Sequence, residues 1–179
     1  MQFVDAARQA LPAADAPVAR AAIAADLRLL HTLDEHIAAA DRELERLLPA
    51  TPFAVLTTTP GWATIRAAMY GAAIGDLARW PSARKVYRAS ALTPTTYESA
   101  GHRRDGGISR EGSVAVRHAL LELGQGLRHH ERAARIHAAR LAARGKHSMI
   151  IWTAMANRAN RIAFAMVRDQ QPYDAGRWR

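Results

Sequence analysis

One stretch of this sequence gathers residue types suited to phosphate chemistry: Tyr97-Glu98-Ser99-Ala100-Gly101-His102-Arg103-Arg104-Asp105-Gly106-Gly107-Ile108-Ser109-Arg110-Glu111-Gly112. Glycines let a backbone approach a ligand closely, and arginines offer forked donors matched to phosphate oxygens. A serine held among them can reach a phosphodiester. Ser99 is a useful nucleophile only if its deprotonation is made easier. No Ser/His/Asp order is legible, and His102 is too near in sequence to be diagnostic. Arg103, Arg104 and Arg110 can instead stabilise the added negative charge of a pentacovalent phosphorane. Taken alone, a loop serine reads first as a turn residue and its arginines as solvated. The density of Gly and Arg narrows the gap between the two readings.

Other chemistries find less support. The eight histidines are scattered. His129 and His130 point about 100° apart on a helix, and with His137 they lack a completing carboxylate or thiolate, so they read as surface residues. The acidic residues after position 50 are spread out, and no two-metal carboxylate site can be assembled from them. There is no cysteine, which excludes a disulfide framework, a thiol nucleophile and a cysteine zinc site. No apolar run approaches the roughly 20 residues that span a bilayer, and no signal-peptide pattern is present, so a soluble intracellular protein is expected.

Charge is unevenly placed. Residues 1–50 carry 8 acidic and 5 basic residues, a net of −3, whereas residues 51–179 carry 8 acidic and 20 basic, a net of +12. Basic charge concentrated in one region is the electrostatic footprint of a nucleic-acid binder.

The elements that must position these residues read as helices. A short helix near 4–11 ends at Pro12, and Pro17 suits the first turn of the next. Residues 18–48 lack Pro and Gly, and Leu30, Leu33, Ile37, Ala40, Leu44 and Leu47 form a heptad seam. That stripe can pack on the chain's own core or on a second helix. Its length, acidity and the Pro49/Pro52 boundary favour the coiled coil. Thr59-Pro60-Gly61-Trp62 then leads into a helix over 63–74, a pattern like a helix–hairpin–helix, whose free amides take a phosphate. A plain Pro-Gly turn before a helix reads the same way. A helix capped by Ser82 runs to about 91, a long loop spans 93–112, and a helix over 113–130 is weakened by Gly124 and Gly126. A basic helical segment over 131–144 and a last helix over 148–169 follow. Ile150, Ile151, Met155, Ile162, Phe164, Met166 and Val167 are its core candidates, and the chain frays from Gln170.

Three blocks together resemble the C-terminal part of the transposases of the IS-one-ten group of insertion sequences, also described as bridge-RNA-guided recombinases. The first holds Thr59-Pro60-Gly61-Trp62, Ile74-Gly75-Asp76 and Trp80-Pro81-Ser82-Ala83-Arg84. The second holds Leu92-Thr93-Pro94, Ser99-Ala100-Gly101-His102-Arg103-Arg104, Gly107-Ile108-Ser109-Arg110-Glu111-Gly112 and Arg117. The third holds Arg144-Gly145-Lys146, Ala154-Met155-Ala156-Asn157-Arg158 and Arg161-Ile162. The resemblance covers about 51–174, and its middle block is the specific one. It implies that Ser99 is the nucleophile, forming a phosphoserine bond to DNA. Ala100 stands where the family has the first glycine of a pair, His102 where it has a lysine, and Arg158 in place of a lysine of the last helix. Gly61, Trp62, Gly101, His102, Arg103, Arg104, Ser109, Arg110, Arg117, Lys146, Arg158 and Arg161 are the nucleic-acid contacts it suggests.

The resemblance also implies an N-terminal RuvC-like domain with an Asp-Glu-Asp-Asp metal site. No part of this sequence reads as that domain, so Mg²⁺ is expected only with it, and cleavage by this chain alone is not expected. The expected architecture is all-α: a coiled-coil dimerisation segment over 1–50, a domain with a helix–hairpin–helix and a Gly/Arg-rich loop over 51–174, and a disordered tail over 175–179. The expected function is a transposase domain that binds DNA, with a structured guide RNA as a further candidate partner, works as a homodimer through 18–48, and acts in the bacterial cytoplasm on the nucleoid, away from membranes. The alternatives are a non-catalytic DNA- or RNA-binding module derived from a transposase, and a structural coiled-coil protein whose basic face contacts RNA.

Overall fold

A computed structural model describes residues 17–99, 102–109 and 111–177. The helix expected near 4–11, together with Ala100, Gly101 and Arg110, lies outside the described residues. The chain divides into two compact units, one ending at Glu43 and one spanning Leu44–Arg179.

The first unit holds most of α1 (Pro17–Leu47), which at 31 residues is about 46 Å long. It starts at Pro17, where a missing N–H costs nothing. Leu30, Leu33, Ile37 and Leu47 on its stripe are 46–58 % exposed, and α1 contains no buried residue.

The second unit is all-α but for one hairpin. Residues Pro52–Thr58 form a 3₁₀ turn, capped by Thr51, whose hydroxyl accepts from the Phe53 amide. Then come α2 (Thr64–Ile74), α3 (Ala83–Ala89), β1 (Pro94–Ser99), β2 (His102–Ile108), α4 (Val114–His130), α5 (Arg132–Ala143) and α6 (Ser148–Asp169). The boundaries follow local chemistry. Gly75 ends α2 with φ +62°, the Ser113 hydroxyl caps α4 by accepting from Val116, and the Glu131 carboxylate caps α5 by accepting from Ala133. Ser82 stands at the start of α3 as expected, but its hydroxyl makes no capping bond.

The core is formed by α4 packed along α6, with α2 and α3 against them. Trp62, Tyr70, Leu120, Leu123, Leu127 and Met155 are fully buried. Gly124 is part of this design. A Cβ there would lie 2.7 Å from the Ala156 amide nitrogen, so the missing side chain lets α4 and α6 approach closely. The expected weakness of α4 at its glycines is outweighed by packing.

Three further expectations differ from the structure. The stretch 93–112 is not a loop: it holds the antiparallel β1–β2 hairpin, in register Tyr97↔Arg104, Glu98↔Arg103 and Ser99↔His102. Ile150 is exposed, not core. The chain after Gln170 is tied down, with the Gln170 amide donating to the Pro52 carbonyl and the Tyr173 N–H to the Thr58 hydroxyl. A 3₁₀ turn at Ala175–Arg177 replaces part of the expected disordered tail. Among the described residues, no helix is long and apolar enough to cross a membrane.

Candidate nucleic-acid interface

A cleft of about 1220 Å³ opens where α3, the neck of the hairpin and the first half of α6 meet. Its lining includes Arg84 and Arg88, one turn apart on α3, and Asn157 and Arg161, one turn apart on α6. Gly106, Gly107 and Ile108 of β2 supply the hairpin side.

The walls are fixed by buried polar bonds. Asn160, fully buried on α6, donates 2.7 Å to the Ala83 carbonyl at the start of α3 and accepts 3.2 Å from the Tyr70 hydroxyl. The Tyr87 hydroxyl donates 3.1 Å to the Thr153 carbonyl, bracing α3 to α6 again, and burial pushes this phenol up to about 12, so it stays a donor. The hairpin is held at its neck: the Ser109 amide donates to the Thr93 carbonyl, the Thr95 hydroxyl to the Gly107 carbonyl, and the Ser113 amide to the Ala89 carbonyl. Gly112 allows the last approach, since a Cβ there would fall 2.5 Å from the Ala89 oxygen.

Basic charge gathers on α5 and α6. Burial, and then the charge of Arg161, pull the Arg158 guanidinium below its usual range. Burial, then Arg158, Arg140 and Arg144, lower the His137 pKa. Cations are thus held close enough to oppose one another, an arrangement that an anion relieves.

The residues singled out in the sequence fall in different places. Ser99 ends β1 opposite His102, and Arg103 and Arg104 lie on β2, so one hairpin carries these four. Arg161 lines the cleft, Arg158 is half-buried on α6, and Lys146 is exposed between α5 and α6. Arg117 turns inward, its Nε donating 2.9 Å to the Ser90 carbonyl. The Ser109 hydroxyl accepts from the Glu111 amide.

Gly61 and Trp62 have structural partners of their own. The Trp62 amide donates to the Thr59 carbonyl, the ring is fully buried, and its indole N–H donates 2.8 Å to the Leu123 carbonyl. Gly61 has φ +79°, and a Cβ would fall 2.5 Å from the Gly126 oxygen, so packing on α4 explains this glycine. Arg66 closes the turn, bonding the Gly61 carbonyl and Glu122.

Arg88, Met149 and Ile150 are cleft residues that the sequence reading missed. The Arg84/Arg88 spacing was the available signal. Among the described residues, no group of three or more His, Asp or Glu side chains comes together that could hold a metal ion.

No curated protein matches the chain. Residues 54–140, which run from the 3₁₀ turn through both strands into α5, match the model of the transposase IS116/IS110/IS902 family.

Proposed function

We propose that the basic unit binds DNA through backbone phosphates along the arginine-lined cleft, and that Ser99 on the adjoining hairpin is the nucleophile of strand cleavage and transfer. The observation that carries this reading is the meeting of Arg84, Arg88 and Arg161 with the neck of the hairpin that bears Ser99, within a transposase-family stretch. Phosphate contacts position a nucleic acid without reading its sequence. In the chemical step, the Ser99 Oγ forms a bond to phosphorus, the bond from phosphorus to the leaving sugar oxygen breaks, and that oxygen gains a proton while the serine loses one. Arg103 and Arg104, on the strand that faces the Ser99 end of β1, offset the charge that builds on the phosphoryl oxygens. The metal-site domain implied by the resemblance belongs to the same proposal, as does a guide RNA.

Arg84, Arg88 and Arg161 are exposed, so glutamine at each leaves the fold intact. Each substitution should weaken duplex binding about tenfold at moderate salt, since hydrogen bonds to charged groups contribute about 1.5–3 kcal/mol. Fluorescence anisotropy reads this directly. Unchanged affinity in all three variants would contradict the assignment of the cleft.

The apolar stripe of α1 supports a second part of the proposal, a homodimer through 18–48. Replacing Leu33 and Ile37 with glutamate should convert a dimer to a monomer in sedimentation at tens of micromolar, where a Kd near ~1 μM, about −8 kcal/mol, shows dimer. A monomeric wild type would refute it.

A further inference from the structure

The cleft has a property that phosphate binding does not explain. Ile108, Met149 and Ile150 share its lining with the arginines and remain 39 %, 50 % and 51 % exposed. Single exposed apolar residues on a convex surface are ordinary, but three within one concave site mark a ligand with an apolar part. A duplex turns its phosphates and sugars outward and hides its base faces in the stack. It can satisfy Arg84, Arg88 and Arg161 yet leaves the three apolar side chains wet. An unpaired nucleotide carries both features, a phosphate and an exposed base face. The cleft, at about 1220 Å³, also exceeds the range of roughly 300–1000 Å³ typical of small-molecule pockets, leaving room for more than one nucleotide.

We infer that this cleft takes unpaired DNA nucleotides, their bases against Ile108, Met149 and Ile150 and their phosphates on Arg84, Arg88 and Arg161, in preference to an intact duplex. The inference rests on the DNA-binding reading above and adds to it the state of the substrate. Asn157 supplies an amide on the same wall that can pair with a base edge. An acidic peptide with apolar residues would meet the same chemistry. The location of the cleft at the neck of a hairpin within a transposase-family stretch favours the nucleotide.

The test compares three labelled DNA probes of one sequence: an intact duplex, the same duplex with a three-nucleotide gap, and the single strand. The gapped and single-stranded probes should bind about tenfold tighter than the duplex, the scale of partly burying an aliphatic side chain against a base face. Met149→Ser with Ile150→Ser, both at exposed positions, should erase that preference while leaving duplex affinity and the melting temperature unchanged. Arg84→Gln with Arg88→Gln should weaken all three probes. Equal affinity for the three probes, or a preference that survives the double serine variant, overturns the inference and leaves the DNA-binding reading standing. Displacement of the gapped probe by a leucine- and glutamate-rich peptide but not by unlabelled single strand also overturns it. Absence of binding to any probe at low salt overturns both.

Discussion

Ser99→Ala is expected to abolish a denaturation-resistant protein–DNA adduct while leaving DNA binding nearly intact. The asymmetry follows from the difference between ground-state and transition-state contacts. A lone hydroxyl contributes about 1 kcal/mol or less to holding a substrate, so affinity should stay within about fivefold. Its oxygen is the atom that forms the covalent bond, and alanine has no replacement for it. The reaction is to be run with the metal-site domain and guide implied by the resemblance, and read on a denaturing gel. Ser99→Cys keeps a nucleophilic atom at the same place and serves as the control. An adduct that persists in Ser99→Ala would assign the nucleophile elsewhere.

Trp62→Ala should cost about 3–5 kcal/mol of stability, the usual loss for a fully buried large aromatic. Trp62 is completely buried, spans from the Thr59–Gly61 turn to α4, and spends its indole N–H on the Leu123 carbonyl. Against a total stability on the order of 5–15 kcal/mol, this is a large fraction. The melting temperature should fall by roughly 10 °C, at about 2–4 °C per kcal/mol for a unit of this size. Trp62→Phe keeps most of the apolar volume and loses the hydrogen bond, so it should cost clearly less. Thermal unfolding followed by circular dichroism separates these. A Trp62→Ala variant that melts with the wild type but binds DNA poorly would return Trp62 to the interface.

Much of the helical framework was readable in the residues. The span 148–169 of α6 follows from a Pro- and Gly-free run after Gly145, whereas the cap that starts α4 at Ser113 emerged only in the structure. The hairpin was not readable. Thr95, Thr96 and Tyr97 are strand-forming types, but β2 reads His102-Arg103-Arg104-Asp105-Gly106-Gly107, which has no strand propensity of its own. Its partner strand, not its composition, makes it extended. The burial of Trp62 was hidden for a related reason: nothing beside a Pro-Gly turn announces it until the Leu123 carbonyl, 61 residues away, is brought to its indole. The cleft was hidden because its lining comes from residues near 82–93, 106–108 and 149–161, and only packing joins them. Met149 and Ile150 fit the apolar period of α6, yet that turn of the helix lines the cleft and both side chains stay exposed among the described residues.

The central claim is that DNA is held by phosphates at the arginine-lined cleft, and the salt dependence of binding tests it most directly. Each phosphate neutralised on a duplex adds about −0.9 to the slope of log K against log salt. The wild type should therefore show a slope of about −3 or steeper, since three arginines line the cleft. The variant with Arg84, Arg88 and Arg161 all changed to glutamine should lose about three units of that slope. A slope that the triple variant leaves unchanged, or binding indifferent to salt, would contradict the account.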